Sequence, residues 1–260
     1  MLKLLTLITL ISLPHGKLQF NGQAAQGGVV WAKVDPLGHS IKYNGKQVPI
    51  YNGKIYIGFG RDANINQKVF ANGEINNIKL TKRNYKEQRI NNLPKKMVSP
   101  PESTWQRIKK DNTQIAAARA EIIKNCDLSN GFIMPAKGII SGVYGSRRVL
   151  NGKPKRPHYG IDIAAKKGTP IIAPAAGKVT LIQQDAYYTG KTMIINHGCG
   201  FTSTFLHMDS FNVDLNDYVN QGDIIGTVGS TGRSTGPHLD WRVNLGKTRL
   251  DPQQVMKVSF

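Results

Sequence analysis

From Ile171 to Val228 the chain is cut into short β-branched and aromatic runs by turns that contain glycine, and that rhythm limits what it can fold into. Ile171-Ile172-Ala173, Gly177-Lys178-Val179-Thr180-Leu181-Ile182, Thr192-Met193-Ile194-Ile195 and Phe201-Thr202-Ser203-Thr204-Phe205-Leu206 read as successive strands. Asp223-Ile224-Ile225-Gly226-Thr227-Val228 adds another. Upstream, Asn44-Gly45, Asn52-Gly53 and Asn72-Gly73 separate further strand-like runs, and Asn-Gly favours the left-handed backbone that a tight hairpin needs. The expected fold class is mainly β: an antiparallel C-terminal domain over 132–260 and a small all-β domain over 17–81. Between them, 82–131 reads as a basic linker and a helix. Ser99-Pro100-Pro101 marks the helix entry, and Trp105, Ile108, Ile115, Ala118 and Ile122 recur at helical intervals up to about Asn125. That pattern predicts Trp105 packed inward, with Lys109, Lys110 and Lys124 in solvent.

Met1 to Pro14 carries Lys3 followed by an apolar run too short to span a bilayer. Residues 1–16 therefore read as a signal peptide, with no transmembrane helix in the mature chain, and predict export to the periplasm or the extracellular space. A formal net charge of +19, dense between residues 79 and 124, points to anionic partners such as envelope polymers. No zinc-finger spacing or aromatic-interleaved basic repeat supports nucleic acid as the partner. Cys126 and Cys199 are the 2 cysteines, and sequence leaves open whether they pair or stay as thiols.

The chemistry-bearing residues sit in two stretches, Pro157-His158-Tyr159-Gly160-Ile161-Asp162 and Pro237-His238-Leu239-Asp240-Trp241-Arg242-Val243, with His207 alone between them. Pro157 and Gly160 argue against a helix for the first. In the second, the strand period puts His238, Asp240 and Arg242 on one face and Leu239, Trp241 and Val243 on the other. Imidazole and carboxylate together suit a borderline-soft divalent cation such as zinc. The loop Gly229 to Gly236 lacks a phosphate-binding pattern and reads as a turn that shapes a cleft.

These residues resemble peptidase family M23, the lysostaphin-like or LytM-like zinc metallopeptidases that cut peptide cross-links in peptidoglycan. The resemblance rests on His158-x-x-x-Asp162, His207 and His238-Leu239-Asp240. Tyr144-Gly145-Ser146-Arg147, Gly168-Thr169-Pro170, Asn196-His197-Gly198 and Gly229 to His238 add to it, and it covers roughly residues 132–254. It implies zinc held by His158, Asp162 and Asp240, with His207 and His238 as catalytic residues beside it and peptidoglycan as substrate. His197 falls in a turn whose histidine is structural. Residues 17–81 resemble the small β domain that precedes the peptidase in exported members. Asp240 stands where the family has histidine; counted with its ligands, the metal becomes formally neutral, which predicts weaker Lewis acidity. A degenerate M23 domain that binds the wall, or activates an amidase, without cutting is the alternative.

Overall fold

The computed structural model describes residues 17–35 and 40–260. The leader expected over 1–16 lies outside the described residues.

The chain is mainly β. Seven strands make the backbone of a ten-stranded sheet, in the spatial order Tyr218–Val219, Gly177–Ala186, Gly190–Gly198, Phe201–Phe211, His238–Leu245, Ile161–Ala164 and Ile139–Gly142. Their pairings are antiparallel. Ile224–Val228 joins this sheet by pairing with both Pro170–Ile172 and Phe201–Phe211. The alternation foreseen for the 237–243 stretch holds: Leu239, Trp241 and Val243 are fully buried with Phe201, Phe205, Ile161 and Ile163. That packing fixes the register and forces the polar set of the same strand to the opposite face.

The N-terminal part forms two further sheets, one from Asn21–Gly22, Val29–Lys33 and Lys54–Gly58, the other from Lys46–Gln47, Ile41–Tyr43, Asn66–Ala71 and Glu74–Lys79. Ile41, Ile55, Phe59 and Val69 are the fully buried centre of its core. Asn44, Asn52 and Asn72 all have φ near +50° ahead of their glycines, the left-handed turn geometry expected of the Asn-Gly pairs. The N-terminal sheets dock on the C-terminal ones. The Trp31 indole donates to Ser259 O at 2.7 Å, Arg83 pairs with Asp251 at 2.6 Å, and Tyr56 packs edge-on to Phe201.

Two expectations for the basic segment are corrected. Residues 82–101 are not linker throughout: Glu87–Ile90 is a strand that pairs in parallel with Arg147–Leu150 and extends toward the cleft. The helix is also shorter, Trp105–Ala120, after a 3-10 turn at Glu102–Thr104. Beyond it Glu121 O accepts from the Asn196 amide and Ile123 O from Cys199 N, so those carbonyls are taken by the sheet instead of by a further helical turn. Cys126 and Cys199 form a disulfide that ties this segment to the sheet. The inward face is Ile108, Asp111, Ile115 and Ala118, whereas Trp105 is 57% exposed. Trp105 starts the helix and lines an open groove with Pro100, Ile108 and Tyr188. Replacing Trp105 by Ala is therefore expected to shift unfolding stability by no more than about 0.5 kcal/mol. A loss of several times that in urea unfolding would show the ring to be buried.

Candidate metal centre

Asp162 and Asp240 lie directly opposite each other on neighbouring antiparallel strands. Like charges at such a position repel unless something positive lies between or beside them. His158 approaches from the loop after the Lys153–Lys155 strand, its peptide pinned on both sides: its N–H donates to Ser146 O at 2.9 Å and its carbonyl accepts from Gly145 N at 2.8 Å. Nε2 of His158 is 3.1 Å from Oδ1 of Asp162, and Nδ1 is 4.0 Å from Oδ2 of Asp240. One donor atom from each of the three residues falls within 4.8 Å of the others, and all three residues are buried.

A divalent cation fits these residues. Both ring nitrogens of His158 and Oδ1 of Asp162 are buried without hydrogen-bond partners, a condition that folded proteins rarely leave uncorrected. Two ligands on one tetrahedral zinc, each at about 2.0 to 2.2 Å, stand roughly 3.3 Å apart, close to the 3.1 Å between His158 and Asp162. Glycines make room for the carboxylates. A Cβ on Gly160 would sit 2.8 Å from Oδ1 of Asp240, and one on Gly142 would sit 2.8 Å from Cγ of Asp162.

Two guanidinium groups complete the charge balance. Arg242 grips Asp240 with both arms, Nε to Oδ1 at 2.9 Å and Nη2 to Oδ2 at 2.6 Å, and Arg148 donates to Oδ2 of Asp162 at 2.6 Å. Burial works against ionisation of Asp240, but Arg242 first, then His158 and Arg148, outweigh it and hold the carboxyl well below its ordinary pKa. For Asp162 burial is likewise outweighed, by His158 and Arg148, and the pKa is lowered. Each carboxylate oxygen has a second lone pair, so the arginine contacts leave Asp240 able to ligate. Counting the ligands alone had predicted a weakened Lewis acid; Arg242 and Arg148 put positive charge back at the centre.

His207 and His238 stand side by side with ring centroids 4.8 Å apart. Nδ1 of His207 lies 2.7 Å from Thr231 O and Nδ1 of His238 lies 2.8 Å from Gly236 O. A carbonyl oxygen can only accept, so each Nδ1 carries a proton and each Nε2 is left for the cleft. Burial lowers the His207 pKa to about 4, with His238 reinforcing the shift, so the ring is neutral near pH 7. The backbone at His207 is left-handed, φ 64°, inside the Phe201–Phe211 strand. That is a rare conformation for a non-glycine residue, held by its amide bond to Thr189 O and by the ring contact to Thr231. A cleft of about 270 Å³ opens over these groups, bordered by Arg148, Asp162, His207 and His238, by the Ser234-to-Pro237 loop, and by Ile90 and Leu93 from the upstream segment.

His197, set aside from the site, is buried in the sheet: Nδ1 lies 2.9 Å from Ala176 O and Nε2 lies 2.8 Å from the Ser203 hydroxyl, which also accepts from the Trp241 indole. Burial lowers its pKa from 6.5 to about 4. Between those pH values the unfolded chain takes up a proton that the folded one refuses, so stability declines as pH falls through this window, by up to about 3 kcal/mol. Urea midpoints at pH 7 and pH 4.5 should show a smaller decline for His197→Gln than for the unaltered protein. Equal declines would remove His197 from that role.

The five predicted site residues are thus brought to one place. The sequence reading missed the clamp by Arg148 and Arg242, the left-handed turn at His207 and the wall from Ile90 and Leu93. Arg242 alone carried a readable signal, two residues after Asp240 on the same strand face.

The arrangement, buried donors for a divalent cation next to two imidazoles with free Nε2 atoms, is suited to metal-assisted hydrolysis. Residues 156–252 match the model of peptidase family M23 and form an M23 domain. It is 39% identical over 100 residues to DD-carboxypeptidase/endopeptidase Mpg of Neisseria meningitidis serogroup B, covering 38% of this chain and 23% of the relative. It is 36% identical over 95 residues to peptidoglycan DD-endopeptidase ShyB of Vibrio cholerae, covering 36% of this chain and 22% of the relative. The matched segment thus spans less than a quarter of the length of these relatives. A Pseudomonas aeruginosa structure described as a peptidase M23 superposes with a TM-score of 0.70 and 28% identity, over 92% of this chain and 97% of that one.

Proposed function

We propose that this protein is an exported zinc metallo-endopeptidase that hydrolyses peptide cross-links of peptidoglycan. The observation that carries the reading is the convergence of His158, Asp162 and Asp240 with unpaired donor atoms under a cleft edged by His207 and His238. The name of the Vibrio relative, a peptidoglycan DD-endopeptidase, supplies the substrate class, and the Neisseria relative is likewise named an endopeptidase. Export rests on the reading of residues 1–16, and no helix among the described residues is long and apolar enough to cross a membrane. Residues 132–260 are taken as the peptidase unit, with 17–81 as the β unit and 82–131 between them.

Bound at His158, Asp162 and Asp240, zinc would supply Lewis acidity toward the scissile carbonyl and a water acidic enough to attack near neutral pH. The neutral His207 presents its Nε2 lone pair to the cleft and accepts the proton of the attacking water, then returns it to the departing amine nitrogen. His238 turns its own Nε2 to the same space, 4.0 Å from Asp162 Oδ1, and hydrogen-bonds the oxyanion when it carries a proton. Arg148 and Arg242 keep both carboxylates ionised and in place. No serine or cysteine nucleophile is needed.

Digestion of defined cross-linked muropeptides, with products identified by mass, tests this. Cleavage should stop with a chelator and return with zinc. One observation favours the second reading, a wall-binding domain that does not cut: Arg242 engages both oxygens of Asp240. Protein that holds no stoichiometric zinc and leaves the muropeptides intact would establish that reading instead.

A further inference from the structure

A second concavity, larger than the cleft over the metal centre, lies elsewhere on the protein. A groove of about 1140 Å³ runs between the outer face of the N-terminal four-stranded sheet and the loops of the peptidase strands. Six cationic side chains line it: Lys42, Arg61, Lys68, Arg156, Lys247 and Arg249. Its single carboxylate, Asp62, is already paired with Arg61. Lys42, Lys68, Arg156 and Lys247 have no acidic partner among the described residues. Like charges gathered along one concave surface repel each other and focus a positive field into it, which an anionic occupant relieves.

The sheet side of the groove has a second property. Along Asn66–Ala71, Gln67, Val69 and Ala71 face the core while Asn66, Lys68 and Phe70 face the groove. Phe70 pairs across the sheet with Lys42 on one side and with Ile75 on the other. Phe70 is 42% exposed and Ile75 53%. A small apolar platform is therefore flanked by two lysines, with the amide side chains of Asn44, Asn64 and Asn66 nearby. On the opposite wall the Arg249 guanidinium stacks on Tyr159 at 4.4 Å. The groove is held in shape by Arg61, whose Nε donates to Gly145 O at 2.6 Å, bridging its two sides. None of these groups enters the hydrolytic mechanism.

We propose that this groove is a binding site for an anionic polysaccharide, separate from the metal centre. The cations take its carboxylate or phosphate groups, the asparagine amides its hydroxyls, and the Phe70–Ile75 platform the apolar face of a sugar ring. A nucleic-acid strand fits less well, since it needs successive free rings on which bases stack. Here the Tyr159 ring is covered by Arg249, and Tyr43 packs edge-on to Phe59 with its hydroxyl held by Gln67, so Phe70 is the free ring. The choice of a polysaccharide also rests on the envelope location proposed above; the binding itself does not depend on zinc or on cleavage.

Titration calorimetry with the full chain in chelator, so that hydrolysis plays no part, tests the site. The probes are a galacturonate hexamer, a phosphomannan oligomer, neutral dextran and oligo(dT). The expected result is binding of one or both anionic glycans, weakened at least tenfold between low and high salt, with none to dextran; whichever binds tighter names the anion. Lys68→Glu combined with Lys247→Glu should weaken binding tenfold or more. Phe70→Ala should weaken it severalfold at unchanged salt dependence. These side chains are exposed, and circular dichroism is the check that the variants are folded. The proposal is overturned if neither glycan binds, if oligo(dT) binds more tightly than both, or if folded variants bind as well as the unaltered protein. Zinc content and muropeptide cleavage remain normal in these variants whether or not the groove binds glycan, so the two readings fail separately.

Discussion

The His158→Ala protein should fold, retain no zinc after dialysis, and release stem peptides from cross-linked peptidoglycan at least about a thousandfold more slowly than the unaltered chain. The magnitude follows from losing an activated water and a Lewis acid, together worth several kcal/mol of barrier. Folding should survive because neither ring nitrogen of His158 makes a hydrogen bond that the substitution could remove. What the variant loses is the donor 3.1 Å from Asp162, which leaves two carboxylates that already have arginine partners. Metal analysis by mass spectrometry and product analysis on the same preparation check the two halves independently. A folded variant that keeps a full equivalent of zinc and its activity would falsify the assignment of His158 as a ligand.

Arg242→Met should cost about 3–5 kcal/mol of stability when measured in chelator, the usual penalty for removing one partner of a buried ion pair. Asp240 is 1% exposed, and without Arg242 it faces Asp162 across the strand pair with no guanidinium bonded to it, since Arg148 donates to Asp162 instead. Zinc should recover much of the loss, because a cation bound to the folded state and not to the unfolded one adds stability through its affinity. The stabilisation by zinc should therefore be larger in the variant than in the unaltered protein. Urea unfolding of both proteins, with and without metal, gives the four values required. If Arg242→Met is as stable as the unaltered chain in chelator, Asp240 is not sustained by that contact.

Parts of the molecule that depend on local rules were readable before any coordinates. The Asn-Gly turns needed only the left-handed tolerance of those two residues, and the 238–243 alternation needed only the period of a strand. Both appear as expected. The helix shows where such reasoning stops. Its apolar spacing was right for Ile108, Ile115 and Ala118, yet Trp105 at its first turn is exposed and the last turn is given up to hydrogen bonds with Asn196 and Cys199. Periodicity describes one face of a helix but not how far the surface beneath it extends.

By itself the sequence determined the mainly β architecture, and it singled out the M23 resemblance and the five side chains His158, Asp162, His207, His238 and Asp240 that the fold brings together, because turn chemistry, strand period and ligand type are properties of residues and their near neighbours. The tertiary structure alone decided that Asp162 and Asp240 face each other, that Arg148 reaches one of them, and that His207 adopts a left-handed backbone. It also decided that a cationic groove forms between the four-stranded sheet and the loops of the peptidase strands. Each of these depends on which strands lie side by side, and that is set by burying a shared core among residues far apart in the chain.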